Sequence, residues 1–495
     1  MKHLREVSER EGGNLLFLNA GDHFQGTFWY TILKSEVVAQ FVSLMEHDVM
    51  AIGNHEFDDG PEELVSFIRK VKLSDRRRMS ILSCNIVVNN GSEPLAGLIE
   101  PSTVKTIGGL PVAIIGYTTP DTKFLSKPGK TVTFRDEVVA IKEEIARLKA
   151  LHPQLNIFIA VGHSGYERDL EIAAAIADLD LVVGGHSNTF LFPQSNGDQP
   201  PPPSTEKVEG DYPTVVNHTD SGERTLVVQA FAYGKYLGKL DLVFDEAGRV
   251  ASYEGRPIFL STEFVEDPQT KQLVESLSGQ LNADLVKVIG FTEVDLDADT
   301  CRYAECNLGN LITDSMARYF ARRYFDQRQN KDEETMVCNS TLAILNGGNI
   351  RMSISAGNIT YKSVLSTLPF GNQQGVLRAN GSELRAVFEH SARQFRRGGF
   401  MQVSAGLRVT YRHTGAADDD NLHHVELAEV EALCQDGWAP LDGSGKVYLV
   451  ALNEFIAKGG DNYTMISSEG WVDYQLTDLE TFTRSIQGAP NATAQ

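Results

Sequence analysis

The sequence predicts a layered α/β protein followed by a second domain, and three observations support this prediction. The chain has 495 residues, more than one hydrophobic core usually covers. Apolar runs alternate with helically spaced segments in its first half, which indicates a sheet flanked by helices. Several of these apolar runs end in loops that carry Asp, Asn or His, and ligands of layered α/β folds bind at such strand ends.

Composition and charge limit the classes of partner. With 42% hydrophobic and 22% charged residues the chain has an ordinary globular composition. The formal net charge of -21 disfavours nucleic acid and anionic lipid as general partners, so a phosphate ligand would need locally placed cations. No apolar run of about 18 residues is present, so no transmembrane segment is expected. Neither end resembles a signal peptide or a lipid-anchor signal.

The order of elements divides the chain near residue 266. Buried-type strands are expected at Leu15–Leu18, Ala113–Gly116, Ile157–Val161 and Leu181–Val183, and helices at Asp136–Leu151 and Glu167–Ala177. The Pro-rich stretch Pro193–Pro213 predicts an exposed loop. An amphipathic helical pattern at 266–289 is expected to link a first domain, 1–265, to a second, 290–495.

Four short motifs follow predicted strands of the first half. They are Gly21-Asp22-His23-Phe24-Gln25, Gly53-Asn54-His55-Glu56-Phe57-Asp58, Val161-Gly162-His163-Ser164 and Gly184-Gly185-His186-Ser187-Asn188. Taken alone, a Gly-Asp pair is usually a turn and a strand-end His is usually a core or capping residue. Carboxylate, amide and imidazole groups that converge from several strand ends are, however, what a two-metal phosphoesterase needs. Asp58, three residues after His55, is a plausible partner that orients that ring.

The second half contains a different set of motifs. They are Cys301-Arg302 to Cys306, Asn346-Gly347-Gly348-Asn349-Ile350-Arg351, Leu368-Pro369-Phe370-Gly371-Asn372, and Phe455 with Gly459-Gly460-Asp461-Asn462-Tyr463. Taken singly, these motifs are typical of turns, core aromatic residues and surface arginines. Together they supply guanidinium groups for oxyanions, aromatic faces for a base and a carboxylate for ribose hydroxyls. The set therefore predicts a nucleotide-binding site.

In this combination and order, the motifs resemble the calcineurin-like metallophosphoesterases and, more closely, the 5'-nucleotidase and apyrase family. The resemblance extends from about Asn14 to about Thr483. It implies a four-layer αββα metallophosphoesterase sandwich followed by a separate α+β nucleotide-binding C-terminal domain. It also implies a domain movement that brings a bound nucleotide to the metals.

The resemblance assigns roles to the residues of the first half. Two divalent metal ions are implied, with zinc expected by resemblance, although nitrogen and oxygen ligands also suit manganese or cobalt. The implied ligands are Asp22 as the bridging carboxylate, Asn54, His163 and His186 at the second ion, and Asn188 at the first. Gln25 is a further implied metal-binding residue. His55 and Asp58 are the implied catalytic pair. Family members carry an earlier Asp-x-His motif, which this sequence lacks before Asp22, so we expect an N-terminally truncated domain that binds the first ion poorly and turns over slowly.

The resemblance also assigns the second-half residues. Arg302 and Arg351 would hold the phosphate with Asn346 nearby, Phe370 and Phe455 would enclose the base, and Asp461 would bind the ribose. The chain departs from the family's glycine-rich run at Asn349 and carries Lys458 before Gly459, and either change could alter base preference. A homodimer through the second domain is a further implication.

Three functions remain open from the sequence. The leading expectation is a 5'-nucleotidase that acts on AMP. The alternatives are a secreted apyrase for ATP and ADP and a nucleotide-binding homologue without catalysis. The five cysteines fit either reduced thiols or a bond between Cys301 and Cys306, and seven Asn-x-Ser/Thr triplets weakly favour an extracellular protein.

Overall fold

The computed structural model forms two compact units. It describes residues 2–10, 12, 14–74, 79–89, 93–193, 201–219, 222–278, 283–327, 342–414, 425–434, 437–441, 447–466 and 470–488. The first unit comprises 1–24 and 33–277, and the second comprises 25–32 and 278–495. The expected linker contains a helix, Pro268–Ser278, and a 3-10 turn, Ala283–Val286, and the division between the units falls at the end of that helix. Of the predicted Pro-rich loop, 194–200 lies outside the described residues.

The first unit is mixed α/β, as the sequence predicts. Its strands are β1 Leu18–Asn19, β2 Val49–Ala51, β3 Ser80–Leu82, β4 Ile86–Val88, β5 Ser102–Ile107, β6 Leu110–Thr118, β7 Val132–Phe134, β8 Ile157–His163, β9 Leu181–Val183, β10 Thr214–Asn217, β11 Arg224–Val228, β12 Tyr236–Phe244 and β13 Val250–Phe259. The helices are α1 Lys2–Arg10, α2 Phe28–Met45, α3 Pro61–Ser74, α4 Thr122–Leu125, α5 Glu137–Leu151, α6 Tyr166–Ala175 and α7 Pro268–Ser278. Helix α2 begins in the segment grouped with the second unit and has a non-helical residue, Lys34, where it enters the first.

Two sheets pack against each other in this unit. One is a parallel sheet in the order β1-β2-β3, and the other has the order β10-β11-β9-β8-β6-β5, with β6, β8, β9 and β11 parallel. A single apolar cluster contains residues of both sheets, including Val49, Leu82, Ile114 and Ile159. A second cluster joins the other face of the larger sheet to α5 and α6. Because the central strands are buried on both faces, they appear in the sequence as continuous apolar runs.

The first strand is shorter and later than expected. The sequence predicts a strand at Leu15–Leu18, whereas β1 pairs only Leu18 with Val49 and Asn19 with Met50. The backbone N–H of Phe17 instead donates to the Asp48 carboxylate at 2.7 Å, and the Phe17 carbonyl accepts from Asp48 N–H. A side-chain hydrogen bond thus replaces the strand ladder at this position.

The second unit is built around a five-stranded sheet. Its elements are β14 Val288–Thr292, α8 Asn307–Gln327, β15 Leu342–Asn346, β16 Gly357–Thr360, α9 Tyr361–Thr367, β17 Gln373–Asn380, α10 Gly381–Arg393, β18 Met401–Val403, β19 Leu407–His413, β20 Val425–Cys434, β21 Gly437–Pro440, β22 Val447–Asn453, α11 Glu454–Ala457, β23 Val472–Thr477 and α12 Asp478–Gly488. The sheet has the order β18-β15-β22-β17-β23. Apolar clusters cover both of its faces, one with α8 and α12 and the other with α10. This sheet carries most of the motifs noted in the second half.

No helix among the described residues is long and apolar enough to cross a membrane.

Candidate functional site

The first unit brings one carboxylate and two imidazoles from separate strand ends to a common point. Asp22 follows β1, His163 is the last residue of β8, and His186 follows β9. One ligand atom from each of these residues lies within 4.8 Å of the others. The His163 and His186 rings are 5.1 Å apart and nearly perpendicular. Three of the four predicted strand-end motifs therefore meet at one site.

Hydrogen bonds and steric limits fix the direction of the His163 ring. Its Nδ1 donates to the Ala20 carbonyl at 2.8 Å, so Nε2 carries the lone pair that faces the cluster. Nε2 lies 2.7 Å from Asp22 Oδ2 but makes no hydrogen bond of acceptable geometry with any described residue. A Cβ at Gly185 would stand 2.8 Å from Nδ1, so the glycine leaves room for the ring.

The electrostatics favour a positive charge at this point. Burial alone would raise the pKa of the Asp22 carboxyl, but the His163, His55 and His186 rings outweigh burial and hold that pKa well below its usual range. Burial disfavours the charged form of His163, yet the adjacent Asp22 carboxylate raises the pKa of that ring above its ordinary value. A cation bound between the Asp22 carboxylate and the His163 ring would interact with both groups, so that the ring would need no proton.

Asn54 contributes a further oxygen. This residue is 3% exposed and its Oδ1 has no hydrogen-bond partner among the residues that the structure describes. Buried amide oxygens rarely lack a partner, so this acceptor is available to a cation. Asp22, His163 and His186 bring together nitrogen and oxygen donors of the kind that zinc and related ions accept, and Asn54 stays a predicted fourth donor.

The remaining two predicted ligands are placed less directly. Asn188 lies two residues after His186 on the same loop, with a positive φ of 55°. Gln25 lies in the segment 25–32, which groups with the second unit, and its Oε1 is buried with no hydrogen-bond partner among the described residues. The assignment of Asn188 to the first ion and of Gln25 as a metal-binding residue stays a prediction.

His55 and Asp58 form a close pair on one 3-10 turn, His55–Phe57. The distance from His55 Nδ1 to Asp58 Oδ2 is 2.6 Å, and Asp58 is buried. The other ring nitrogen, Nε2, lies 4.0 Å from Asp22 Oδ2. The ring is therefore held by a carboxylate on one side while its opposite nitrogen faces the cation cluster.

Two residues that the sequence did not single out organise this site. The buried carboxylate of Glu56 accepts hydrogen bonds from the backbone N–H groups of Asp22, His23, Phe24 and Gly53, which ties the Asp22 loop to the Asn54 loop. Ser126 Oγ donates to the Asn54 carbonyl at 2.6 Å and also bonds Asp58 Oδ1. Glu56 is visible in the Asn54-His55-Glu56 motif, whereas Ser126 has no local sequence signal.

The second unit places a carboxylamide and a carboxylate together at the end of its sheet. Asn346, the last residue of β15, donates from Nδ2 to Asp461 Oδ2 at 2.8 Å and accepts from Asn453 Nδ2 at 3.3 Å. Asp461 adopts a left-handed conformation with φ 49°, and its carbonyl accepts from His390 Nε2 at 2.8 Å. Burial lowers the pKa of His390, which favours the neutral ring in this contact.

The structure also brings Arg351 and Phe370 together. The Arg351 Cζ lies 5.8 Å from the Phe370 ring centroid, which is cation–π range. Both side chains are partly exposed, as a ligand-binding pair must be. Phe455 is partly buried, and a Cβ at Gly460 would stand 2.6 Å from its ring, so the glycine leaves room for the ring. The predicted sandwich of Phe370 and Phe455 around a base stays a prediction.

A disulfide closes the loop that carries Arg302. Cys301 and Cys306 are bonded, in agreement with the second of the two sequence interpretations. Gln402 Nε2 donates to the carbonyls of Cys301 and Ala304, both at 2.8 Å, and the Arg302 carbonyl accepts from Arg396 N–H. The backbone at Arg302 is thus fixed on both sides.

Comparison with known proteins is consistent with this geometry. The family model described as calcineurin-like phosphoesterase matches residues 1–190, and that described as 5'-nucleotidase, C-terminal domain, matches residues 288–468. The chain is 39% identical over 472 residues to a 5'-nucleotidase of Mus musculus, covering 93% of this chain and 77% of that protein. It is 37% identical over 470 residues to a snake venom 5'-nucleotidase of Naja atra, covering 92% and 83%.

A solved structure extends the similarity to the whole fold. The crystal structure of a 5'-nucleotidase precursor from Thermus thermophilus superposes with a TM-score of 0.83 at 33% identity, covering 98% of this chain and 89% of that one. Identity at this level over nearly the full chain, with both domain families matched in order, places the protein in the 5'-nucleotidase family.

Proposed function

We propose that this chain hydrolyses nucleoside 5'-monophosphates, with AMP as the preferred substrate, to a nucleoside and inorganic phosphate. The observation that carries the proposal is the cluster of Asp22, His163 and His186 beside the His55–Asp58 pair. Membership of the 5'-nucleotidase family supports the same reaction class. The preference for AMP is the finer part of the proposal and rests on the resemblance alone.

Divalent metal ions are implied by the phosphoesterase family, and the donors fit them. Asp22, Asn54, His163 and His186 would hold one ion, with Asn188 serving another together with Asp22. The orphaned Asn54 Oδ1 and the lone pair of His163 Nε2 support this assignment. Bound divalent cations supply positive charge to phosphoryl oxygens and favour the ionisation of water. Zinc is our proposal for the metal, because imidazole, amide and carboxylate donors suit it.

The protein's own residues would orient and stabilise the reacting phosphoryl group. His55 would donate a hydrogen bond from Nε2 to a phosphoryl oxygen as negative charge develops there. Asp58 would hold the ring through Nδ1 and stabilise its charged form, and Ser126 would keep Asp58 in place. Because Glu56 joins the Asp22 and Asn54 loops, it would preserve the spacing between the ligands and His55.

The second unit would bind the rest of the nucleotide. Arg302 and Arg351 would pair with the phosphate, since guanidinium groups match phosphate oxygens in geometry and charge. Phe370 and Phe455 would stack on the base, and Asp461 would accept hydrogen bonds from ribose hydroxyls. Support comes from the contact of Arg351 with Phe370 and from the hydrogen bond of Asn346 with Asp461.

We further propose an extracellular location and a homodimer through the second unit. A relative named as a snake venom protein supports the location, as does the disulfide between Cys301 and Cys306. Sedimentation of the purified chain tests the dimer.

A nucleotide panel tests the proposed reaction. Phosphate release is measured for 5'-AMP, 3'-AMP, ADP and ATP, with and without a chelator and with added zinc or manganese. The proposal expects release from 5'-AMP that the chelator abolishes. Faster release from ATP and ADP would favour an apyrase, and binding of 5'-AMP with no release from any nucleotide would favour a binding protein.

A further inference from the structure

We propose that Asn349 and Asn372 are positioning residues that hold Arg351 and Phe370 in the relative geometry required to bind a nucleoside monophosphate. They do so through a hydrogen-bonded chain that ends at the buried carboxylate of Asp478. The inference rests on the proposed function, because Arg351 and Phe370 are the groups that it assigns to the phosphate and the base. None of the three residues in this hydrogen-bonded chain, Asn349, Asn372 and Asp478, is assigned a direct contact with substrate.

The hydrogen-bonded chain from Asn372 through Asn349 to Asp478 has a defined direction. Asn349 Nδ2 donates to Asp478 Oδ2 at 2.8 Å, and Asn349 Oδ1 accepts from Asn372 Nδ2 at 2.7 Å. A carboxylate only accepts hydrogen bonds, so the Asn349 amide must point its nitrogen toward Asp478 and its oxygen toward Asn372. Asn349 and Asp478 are 2% and 0% exposed, which removes competition from water.

Asp478 also forms hydrogen bonds with the backbone of Asn372 and of Leu479. Its N–H donates to the Asn372 carbonyl at 2.9 Å, and its Oδ1 accepts from the Leu479 N–H at 2.8 Å. Asp478 is the first residue of α12, which packs into the core of the second unit. The two loops are therefore attached to one rigid element rather than to each other alone.

The loops so joined carry the two proposed substrate groups. Asn349 lies two residues before Arg351, and Asn372 lies two residues after Phe370. Arg351 N–H donates to the Thr367 carbonyl at 2.9 Å, and Arg351 Cζ is 5.8 Å from the Phe370 centroid. Movement of either loop would change the distance between the Arg351 guanidinium and the Phe370 ring. A small misplacement of two binding groups weakens the binding of a ligand that contacts both.

Asn349 supplies both an amide donor and an amide acceptor to this network. Glycine could supply neither the donor for Asp478 nor the acceptor for Asn372. Burial raises the pKa of the Asp478 carboxyl to about 7, and the hydrogen bond from Asn349 opposes that shift. The asparagine thus has a structural partner on each side that a glycine would leave unsatisfied.

The test compares affinity for 5'-AMP with affinity for adenosine in the full chain. Calorimetry in the presence of a chelator, which prevents hydrolysis of 5'-AMP, gives both dissociation constants for wild type, Asn349→Ala, Asn372→Ala and the double variant, and steady-state kinetics of the metal-loaded chain give KM and kcat. We expect KM for 5'-AMP to rise about tenfold with a smaller change in kcat. We also expect the ratio of the adenosine to the 5'-AMP dissociation constant to fall, because the phosphate no longer meets Arg351 while the base is stacked.

An exchange of partners provides the rescue. Asn349→Asp combined with Asp478→Asn places a carboxylate at 349 that accepts from both Asn372 and the new amide at 478. This pair is expected to recover part of the affinity that Asn349→Asp alone loses. The exposed Asn358→Ala in β16 serves as the matched control and should leave both constants unchanged.

Two results would overturn the inference. One is an unchanged ratio of dissociation constants in folded Asn372→Ala. The other is an affinity for 5'-AMP in the Asn349→Asp, Asp478→Asn double variant that is no higher than in either single variant. Asn372 is only partly buried, so its variant keeps the test open if Asn349→Ala fails to fold. A wild-type chain that neither binds nor hydrolyses 5'-AMP would instead refute the proposed function, and the inference with it.

Discussion

His55 Nδ1 and Asp58 Oδ2 are 2.6 Å apart, on a single turn that directly follows Asn54, a proposed metal ligand. The pair holds the imidazole with Nε2 directed toward the cluster that contains Asp22. A ring fixed in this way can donate to, and share charge with, a phosphoryl group placed there. The proposed catalytic role of His55 therefore depends on its contact with Asp58.

Asp58→Asn is expected to lower kcat for 5'-AMP by about 100-fold or more, because a neutral partner no longer stabilises positive charge on the His55 ring. KM should change little, since Asp58 is not assigned a substrate contact. Steady-state phosphate release gives both constants. Asp59→Asn, exposed and one residue away, is the control and should behave as wild type. A wild-type kcat in Asp58→Asn would contradict the assignment.

His163→Ala should reduce the metal content of the purified chain by about one ion, because it removes a ligand whose Nε2 faces Asp22 at 2.7 Å. Elemental analysis after dialysis measures metal per chain. His152→Ala removes an exposed histidine and should leave the content unchanged. The wild-type value also tests the expectation that the first ion is bound poorly. Equal metal content in wild type and His163→Ala would remove this residue from the proposed ligands.

Glu56→Gln should destabilise the first unit by roughly 2–4 kcal/mol, because the new amide NH2 would face backbone N–H donors that now share a carboxylate. Thermal unfolding followed by circular dichroism measures the effect, and metal content should fall in parallel. Glu62→Gln, which is exposed, is the matched control. If Glu56→Gln unfolds at the wild-type temperature, Glu56 does not join the two loops as described.

Asp461→Asn should raise KM for 5'-AMP by about tenfold and weaken adenosine binding to a similar degree, since the lost charge serves the ribose and not the phosphate. Competition assays with adenosine measure the second effect. Asp473→Asn in β23 changes an exposed carboxylate of the same unit and should have no effect. Weaker 5'-AMP binding with unchanged adenosine binding would place Asp461 at the phosphate.

Asp180 predicts a pH dependence of stability. Burial raises the pKa of this carboxyl to about 7, and Oδ2 accepts from Phe158 N–H at 2.9 Å. An acid whose pKa is raised by folding contributes stability that is fully present below its unfolded pKa and is lost as pH rises through the folded value. The wild-type first unit should therefore lose stability between about pH 4 and pH 7 through this group.

Asp180→Asn keeps an acceptor for Phe158 and carries no charge, so its stability should fall less over that range. Urea unfolding at several pH values should show the variant more stable than wild type by about 1–3 kcal/mol at pH 8, with the difference vanishing near pH 4. Asp241→Asn, an exposed residue of β12 that pairs with Lys239, is the control. A constant difference at all pH values would exclude titration of Asp180 as the cause.

The sequence predicted the site better than it predicted what supports the site. His163 and His186 could be found because each ends a buried apolar run, and Asp22 because it follows a strand and a glycine. Ser126 could not be found, since it bonds Asp58 from 68 residues away and sits in no recognisable motif. Likewise, the departure at Asn349 was visible, but its partner Asp478 is 129 residues distant. Local patterns reveal strand ends, whereas contacts between distant loops depend on the tertiary fold.

The most direct test of the central claim is phosphate release from 5'-AMP by the metal-loaded chain, measured beside an Asp22→Asn variant of equal fold and concentration. Asp22 is the carboxylate shared by the cluster and by the His55 N–H, so its neutral counterpart should lose both metal and turnover. The account predicts chelator-sensitive release by the wild type and at least about a 100-fold lower rate in the variant. Equal rates in the two proteins, or no release by the wild type from any nucleoside 5'-monophosphate, would contradict it.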